Sequence, residues 1–265
     1  MLRELSSVPP PPEPEPQLTI PNYWLEPPHP LPTAAGMNRA VWDLRYTPPP
    51  AFSHQYPMGA LYKNTPAEPL GPLVAPGDYE VRLTVAGRTY RQPLRVTMDP
   101  RVKTPAQGIT EQRDLGVKIS DAMNAAYEAN EQVAAVRKAL TAAGTAEAVT
   151  AREGKAAAFG GAAAGRGGRG GGGGGFGGGR GGGGATSNFS AIDGQFGSLM
   201  TNVEQADQPP TLAMRESYQE SCKSLTEALA KWEELKKDLA TLNGTLGDHK
   251  VAVPPAVTGA PSCGQ

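Results

Sequence analysis

Apolar and polar residues alternate strictly from Asp78 to Val85, with Tyr79, Val81, Leu83 and Val85 on one side and Asp78, Glu80, Arg82 and Thr84 on the other. A period of two predicts a β-strand with one dry face. Ala86-Gly87-Arg88 then predicts a tight reversal into a second run, Thr89 to Met98, with Tyr90, Gln92, Leu94, Val96 and Met98 on one side. Pro93 places that run at a sheet edge or a bulge, because proline has no N–H for a ladder. Upstream, Gly36 to Tyr46 reads as a further strand with Trp42, Leu44 and Tyr46 on one face, and Tyr23-Trp24-Leu25 as a short edge strand or aromatic plug. Pro76-Gly77 has the composition of the central pair of a type II turn. The expected β module is a partial, truncated immunoglobulin-like antiparallel sandwich with Trp42, Tyr79, Leu83 and Leu94 in its core; a complete one needs about seven strands.

After Thr104-Pro105, a helix N-cap followed by proline at the first helical position, the period changes. Leu115, Ile119, Ala122, Ala126, Ala129, Val133, Val136 and Leu140 are spaced alternately by four and three, a heptad seam. Phe189, Ile192, Phe196, Leu199, Val203 and Ala206 repeat that spacing in a shorter helix. Pro209-Pro210 interrupts it, and Met214, Tyr218, Ser221, Leu225, Ala228, Trp232, Leu235, Leu239 and Leu242 form a third seam that Asn243-Gly244 closes. An antiparallel hairpin or three-helix bundle, anchored by Leu225, Trp232 and Leu239, is the simplest packing of three such seams. The overall expectation is α+β in separate modules.

Composition adds two biased segments. Of 27 prolines, 22 precede residue 106, and of 33 glycines, 18 lie between Gly160 and Gly184. Pro9 to Pro16 favours an extended spacer over an SH3-type ligand, since no basic residue flanks it. The resulting division is a Pro-rich segment with a short edge strand (1–35), the Ig-like module (36–103), the first long helix (104–145), a disordered Gly/Arg-rich loop (146–187), the second and third helices (188–244) and a disordered tail (245–265). A formal charge of −1 gives no global field toward nucleic acid or acidic membranes. No run of about 18 apolar residues is present to span a bilayer. The N-terminal residues lack an apolar signal-peptide core, so the chain taken alone reads as cytosolic, an expectation that a start further upstream would remove. Cys222 and Cys263 are too few for a disulfide framework and are expected to be free.

Candidate chemistry is sparse. Three Arg-Gly-Gly triplets begin at Arg166, Arg169 and Arg180, with Phe176 between the last two, the pattern by which guanidinium charge and aromatic stacking hold single-stranded nucleic acid. A flexible connector of that length also spans about 25 to 30 Å, which suits a loop joining helix ends, and this is the favoured reading. The glycines are not a phosphate loop, since no Gly-Lys-Ser/Thr follows them. His29, His54 and His249 have no carboxylate or cysteine at ligand spacing. Asp43 beside Arg45 and Asp99 beside Arg101 read as turn caps or structural ion pairs rather than as catalytic acids. No catalytic residue, metal ligand or cofactor is therefore expected.

Gly36 to Tyr46, Gly71 to Tyr79, Met98-Asp99-Pro100-Arg101-Val102-Lys103 and the stretch Asp207 to Leu235 together resemble the C-terminal part of large bacterial BNR-repeat, sortilin-like propeller proteins, often labelled glycosyl hydrolases. The resemblance implies an Ig-like module and helices that follow a propeller, in a secreted or periplasmic parent protein. It also implies that any hydrolytic or ligand site belongs to the propeller, whose Ser-x-Asp-x-Gly-x-x-Trp boxes are not in this sequence. The expected function is that of a non-catalytic accessory or interaction module, the C-terminal part of such a protein. Its partners would be upstream propeller domains or a protein that completes an open sheet edge, with no membrane insertion. An RGG-type RNA-binding adaptor, and glycoside hydrolysis belonging to the propeller, are the alternatives.

Overall fold

The structure is a computed structural model that describes residues 1–9, 21–27, 29–52, 54, 56, 62–160, 188–244, 246, 250–261 and 263. Its elements are β1 (Gly77–Val85), β2 (Arg88–Val96), α1 (Ala106–Ala142), α2 (Glu147–Ala157), α3 (Phe189–Val203) and α4 (Leu212–Asn243), preceded by a single 3-10 turn at Asn22–Trp24. Among the described residues the chain is therefore an α+β mixture of one two-stranded antiparallel sheet and four helices. It divides into two compact units, one of residues 1–49, 54–120 and 199–216, the other of 50–53, 121–198 and 217–265.

The first unit holds the sheet. β1 and β2 pair in register from Gly77 opposite Val96 to Val85 opposite Arg88. Ala86 and Gly87 form the turn, both with positive φ (48° and 76°), the I′ geometry whose twist matches the strands it joins. The other expected strands are not present among the described residues. Arg45 makes only an isolated bridge to Leu73, and Leu25 only one to Thr65. The run Gly36–Tyr46 fails as a strand because its chain reverses locally. Leu44 adopts a left-handed φ of 59°, Asp43 Oδ1 accepts the Arg45 N–H at 3.1 Å, and Trp42 Nε1 donates to the Arg45 carbonyl at 2.9 Å. Gly77 opens β1 and does not supply the positive φ that a type II turn requires.

Besides buried apolar residues such as Val74, Ile109 and Met200, this unit is tied by polar clamps. Glu204, just beyond α3, accepts from Arg45 Nη1 at 2.5 Å through Oε2 and from the Leu73 N–H at 2.8 Å through Oε1. Arg45 also donates to the Gly71 carbonyl at 2.7 Å, and Gln112 on α1 donates to the carbonyl of Val203, the last residue of α3, and to that of Ala206 just beyond it. Gly71 is required by close approach, since a Cβ there would stand 2.1 Å from the Tyr46 carbonyl oxygen. α1 begins at Ala106, which leaves Thr104 one residue short of the N-cap position, and its hydroxyl donates to the Asp207 carbonyl instead.

The second unit is helical. Its share of the first seam, Ala122 to Leu140, is buried throughout, as are Phe189, Ile192 and Phe196 of α3 and Leu225, Ala228, Trp232, Leu235, Leu239 and Leu242 of α4. Leu115, Ile119, Leu199 and Val203 of the same seams are buried in the first unit, whereas Ala206 lies beyond α3 and is exposed. Trp232 is the largest fully buried side chain; its Nε1 donates to Gln132 Oε1 at 3.1 Å, and its ring meets the edge of Phe159 at 5.7 Å. Phe159 in turn stacks on Phe189 at 6.0 Å.

Three expectations are corrected here. The segment from residue 146 begins as a helix: α2 is alanine-rich, carries Glu147 in its first turn and Lys155 in its last, and buries Val149 and Ala156. The cysteines are not free, because Cys222 and Cys263 form a disulfide. The described tail residues, 250–261 and 263, are held along the helices rather than disordered. Asn243 exchanges two hydrogen bonds with the Val251 backbone (2.7 and 2.8 Å), buried Lys236 donates to the Pro255 carbonyl at 2.7 Å, and Thr258 donates through N–H and hydroxyl to Glu128. The disulfide closes a separation of 41 residues, so mutating Cys263 to Ser should lower stability by roughly 2–4 kcal/mol through loop entropy returned to the unfolded chain. Urea unfolding of the oxidised parent against Cys263→Ser measures this, and equal midpoints would show that the polar contacts alone hold the tail.

Candidate interaction surface

Strand register sorts the hairpin side chains onto two faces. Asp78, Glu80, Arg82 and Thr84 share a face with Arg95, Pro93, Arg91 and Thr89. That face satisfies itself: Glu80 pairs with Arg82 and, at 3.3 Å, with Arg91, Asp78 lies 3.9 Å from Arg95, and Thr84 meets Thr89 at 3.0 Å. Hydrogen bonds from Arg82 hold the Glu80 carboxyl below its ordinary pKa. The pairs are exposed, and such pairs contribute little to stability.

The opposite face carries the apolar residues, and the structure contradicts the dry face expected of it. Tyr79 is half-covered near the sheet base, where its hydroxyl donates to the Ala75 carbonyl and its ring meets Trp42 edge-on at 5.9 Å. Beyond it the apolar side chains stand half open to solvent. Val81 and Leu83 are each 50% exposed, Val85 54% and Tyr90 56%. Of the four expected sheet-core residues, Trp42, Tyr79 and Leu94 are half-buried and Leu83 is exposed. A row of half-exposed apolar side chains with a satisfied polar reverse makes this face the candidate interaction surface.

Among the described residues the outward backbone groups of the hairpin are unpaired as well. A two-residue turn makes Val85–Arg88 a hydrogen-bonded pair, and antiparallel pairs alternate, so Leu83–Tyr90, Val81–Gln92 and Tyr79–Leu94 also exchange their bonds. The residues between them aim N–H and C=O outward: Asp78, Glu80, Arg82 and Thr84 from β1, and Thr89, Arg91, Pro93 and Arg95 from β2. Pro93 removes one donor from the centre of the β2 edge, whereas β1 keeps its outward donors. The β1 edge is the one open to strand addition.

Elsewhere in the first unit a pocket of about 140 Å³ is lined by residues including Pro72, Val74, Met98, Ile109, Arg113 and Glu204. It is smaller than ordinary ligand pockets of about 300 Å³ and upward. Asp99 is held by its own neighbour, since Arg101 donates to it through backbone and guanidinium, and those bonds keep its carboxyl below the usual range. Asp43 is likewise a turn acceptor. Among the described residues no three His, Cys, Asp or Glu side chains group as a metal site, and no helix is long and apolar enough to cross a membrane. Arg166, Arg169, Phe176 and Arg180, the candidate nucleic-acid contacts, lie outside the described residues, as do His249 and most of the proline run. The chain matches no family model, no curated protein and no solved structure.

Proposed function

We propose that the chain is a non-catalytic interaction module that docks through the β1–β2 hairpin. The observation that carries this reading is the half-exposed row Val81, Leu83, Val85 and Tyr90 beside a β1 edge whose outward donors have no backbone partner among the described residues. An isolated hairpin is marginal in water, and it gains most by acquiring further strands. In this reading the hairpin is the nucleus of an Ig-like sheet that a partner's strands complete, and the helices form a bundle that carries it. The resemblance to the C-terminal region of BNR-repeat, sortilin-like proteins makes upstream propeller domains a candidate partner. The disulfide favours an oxidising compartment, in keeping with a secreted or periplasmic parent.

A photo-crosslinking residue at Leu83, with one at exposed helical Lys223 as control, tests the docking reading in the source cells. A discrete adduct from position 83 and none from position 223 is expected. No adduct at 83, or the same pattern from both positions, would remove the hairpin as a docking surface.

A further inference from the structure

The docking reading leaves open which strand joins β1, and the charge order along that strand points to β1 itself. Resting on that reading, we propose that two copies of the chain pair antiparallel through their β1 edges about a two-fold axis at Val81, giving the continuous four-stranded sheet β2–β1–β1′–β2′. In an antiparallel pair the outward-bonding residues must stand opposite one another, so only registers that match even-numbered with even-numbered positions of β1 are allowed. Centring on Val81 places Glu80 opposite Arg82 of the second copy and Arg82 opposite its Glu80, two opposite-charge pairs that the two-fold makes equivalent. The same register sets Val81 against Val81 and Tyr79 against Leu83 on the apolar face, where Val81 and Leu83 are half exposed in the single chain. Moving the axis to Arg82 sets Arg82 against Arg82 with no opposite-charge pair, and moving it to Glu80 sets Asp78 against Arg82 twice but Glu80 against Glu80 on the axis, so the Val81 register is the one of the three that has opposite-charge pairs and no like charges directly opposite. The β2 edge offers no equivalent, because its outward positions Thr89, Arg91, Pro93 and Arg95 carry only positive charge and lack a donor at Pro93.

Sedimentation equilibrium on the full oxidised chain, taken up to about 1 mM, where weak specific association becomes visible, tests the pairing with two charge variants. Glu80→Arg alone sets arginine against arginine in the self-pair, and Arg82→Glu alone sets glutamate against glutamate. Each is expected to weaken self-association at least tenfold, while a mixture of equal amounts forms the heterodimer and regains the parent's association. The double variant Glu80→Arg/Arg82→Glu, which exchanges the charges, should also associate like the parent. A monomeric parent, single variants that associate as the parent does, or a mixture that stays monomeric beside a dimeric parent would each overturn the proposal. A monomeric parent together with a Leu83 crosslink to a different protein overturns self-pairing alone, and a Leu83 position that crosslinks to nothing overturns both readings.

Discussion

Replacing Asp193 with Asn should make the protein more stable at pH 8 and nearly indifferent to the change at pH 4. Asp193 lies on α3 in the helical unit, only 6% exposed, and its Oδ1 has no hydrogen-bond partner among the described residues. Burial disfavours the charged form and pushes its pKa up from 3.8 to about 7. Between those values the folded protein keeps a proton that the unfolded chain has released. Asp193 therefore costs nothing below about pH 4, and stability falls as pH rises toward 7. At about 1.36 kcal/mol per pKa unit the full loss is roughly 4 kcal/mol. Asn stays neutral at every pH, so subtracting the variant's pH curve from the parent's isolates this one group. Denaturant unfolding from pH 4 to 8 should show the curves separating with a midpoint shift in favour of Asn. Parallel curves would mean that the carboxylate has partners which stabilise its charge.

Trp232→Ala should be the most damaging single truncation in the helical unit, at about 3–5 kcal/mol. The indole is fully buried, packs on Phe159 and satisfies Gln132. Truncation leaves a cavity and strands the Gln132 oxygen, two separate losses. Trp232→Phe divides them, since it keeps most of the ring contact and should lose only the smaller share. Urea midpoints of both variants against the parent measure this; an Ala variant within about 1 kcal/mol of the parent would place Trp232 outside the cooperative core.

The helical seams were legible in the sequence because a four-three spacing of apolar residues fixes a helix face, and a face that long has to be buried. Leu115 to Leu140 is buried at every seam position. The hairpin was legible for a similar reason, down to the turn, since Gly87 can take the positive φ that the geometry needs. Its dry face was misread because a period of two tells which side is apolar and not what covers it. Gly36–Tyr46 has strand composition, yet local hydrogen bonds from Trp42 and to Asp43 compete with any ladder. The Cys222–Cys263 disulfide joins positions 41 residues apart and the docked tail reaches as far back as Glu128, and nothing in the spacing of two cysteines announces them. Glu204 gave no sequence signal either. Its role as the acceptor for Arg45 and the Leu73 N–H exists only once α3 ends beside that segment.

Residue-resolved amide hydrogen exchange tests most directly the claim that the β1 edge receives a strand. The dilute purified chain is compared with the chain isolated from its source together with whatever it binds. The amides of Glu80, Arg82 and Thr84, which face outward in the hairpin, should exchange freely in the dilute chain and become protected in the assembly, while those of Thr89 and Arg91 on the β2 edge should not change. Equal exchange of the β1 amides in both samples would contradict the account.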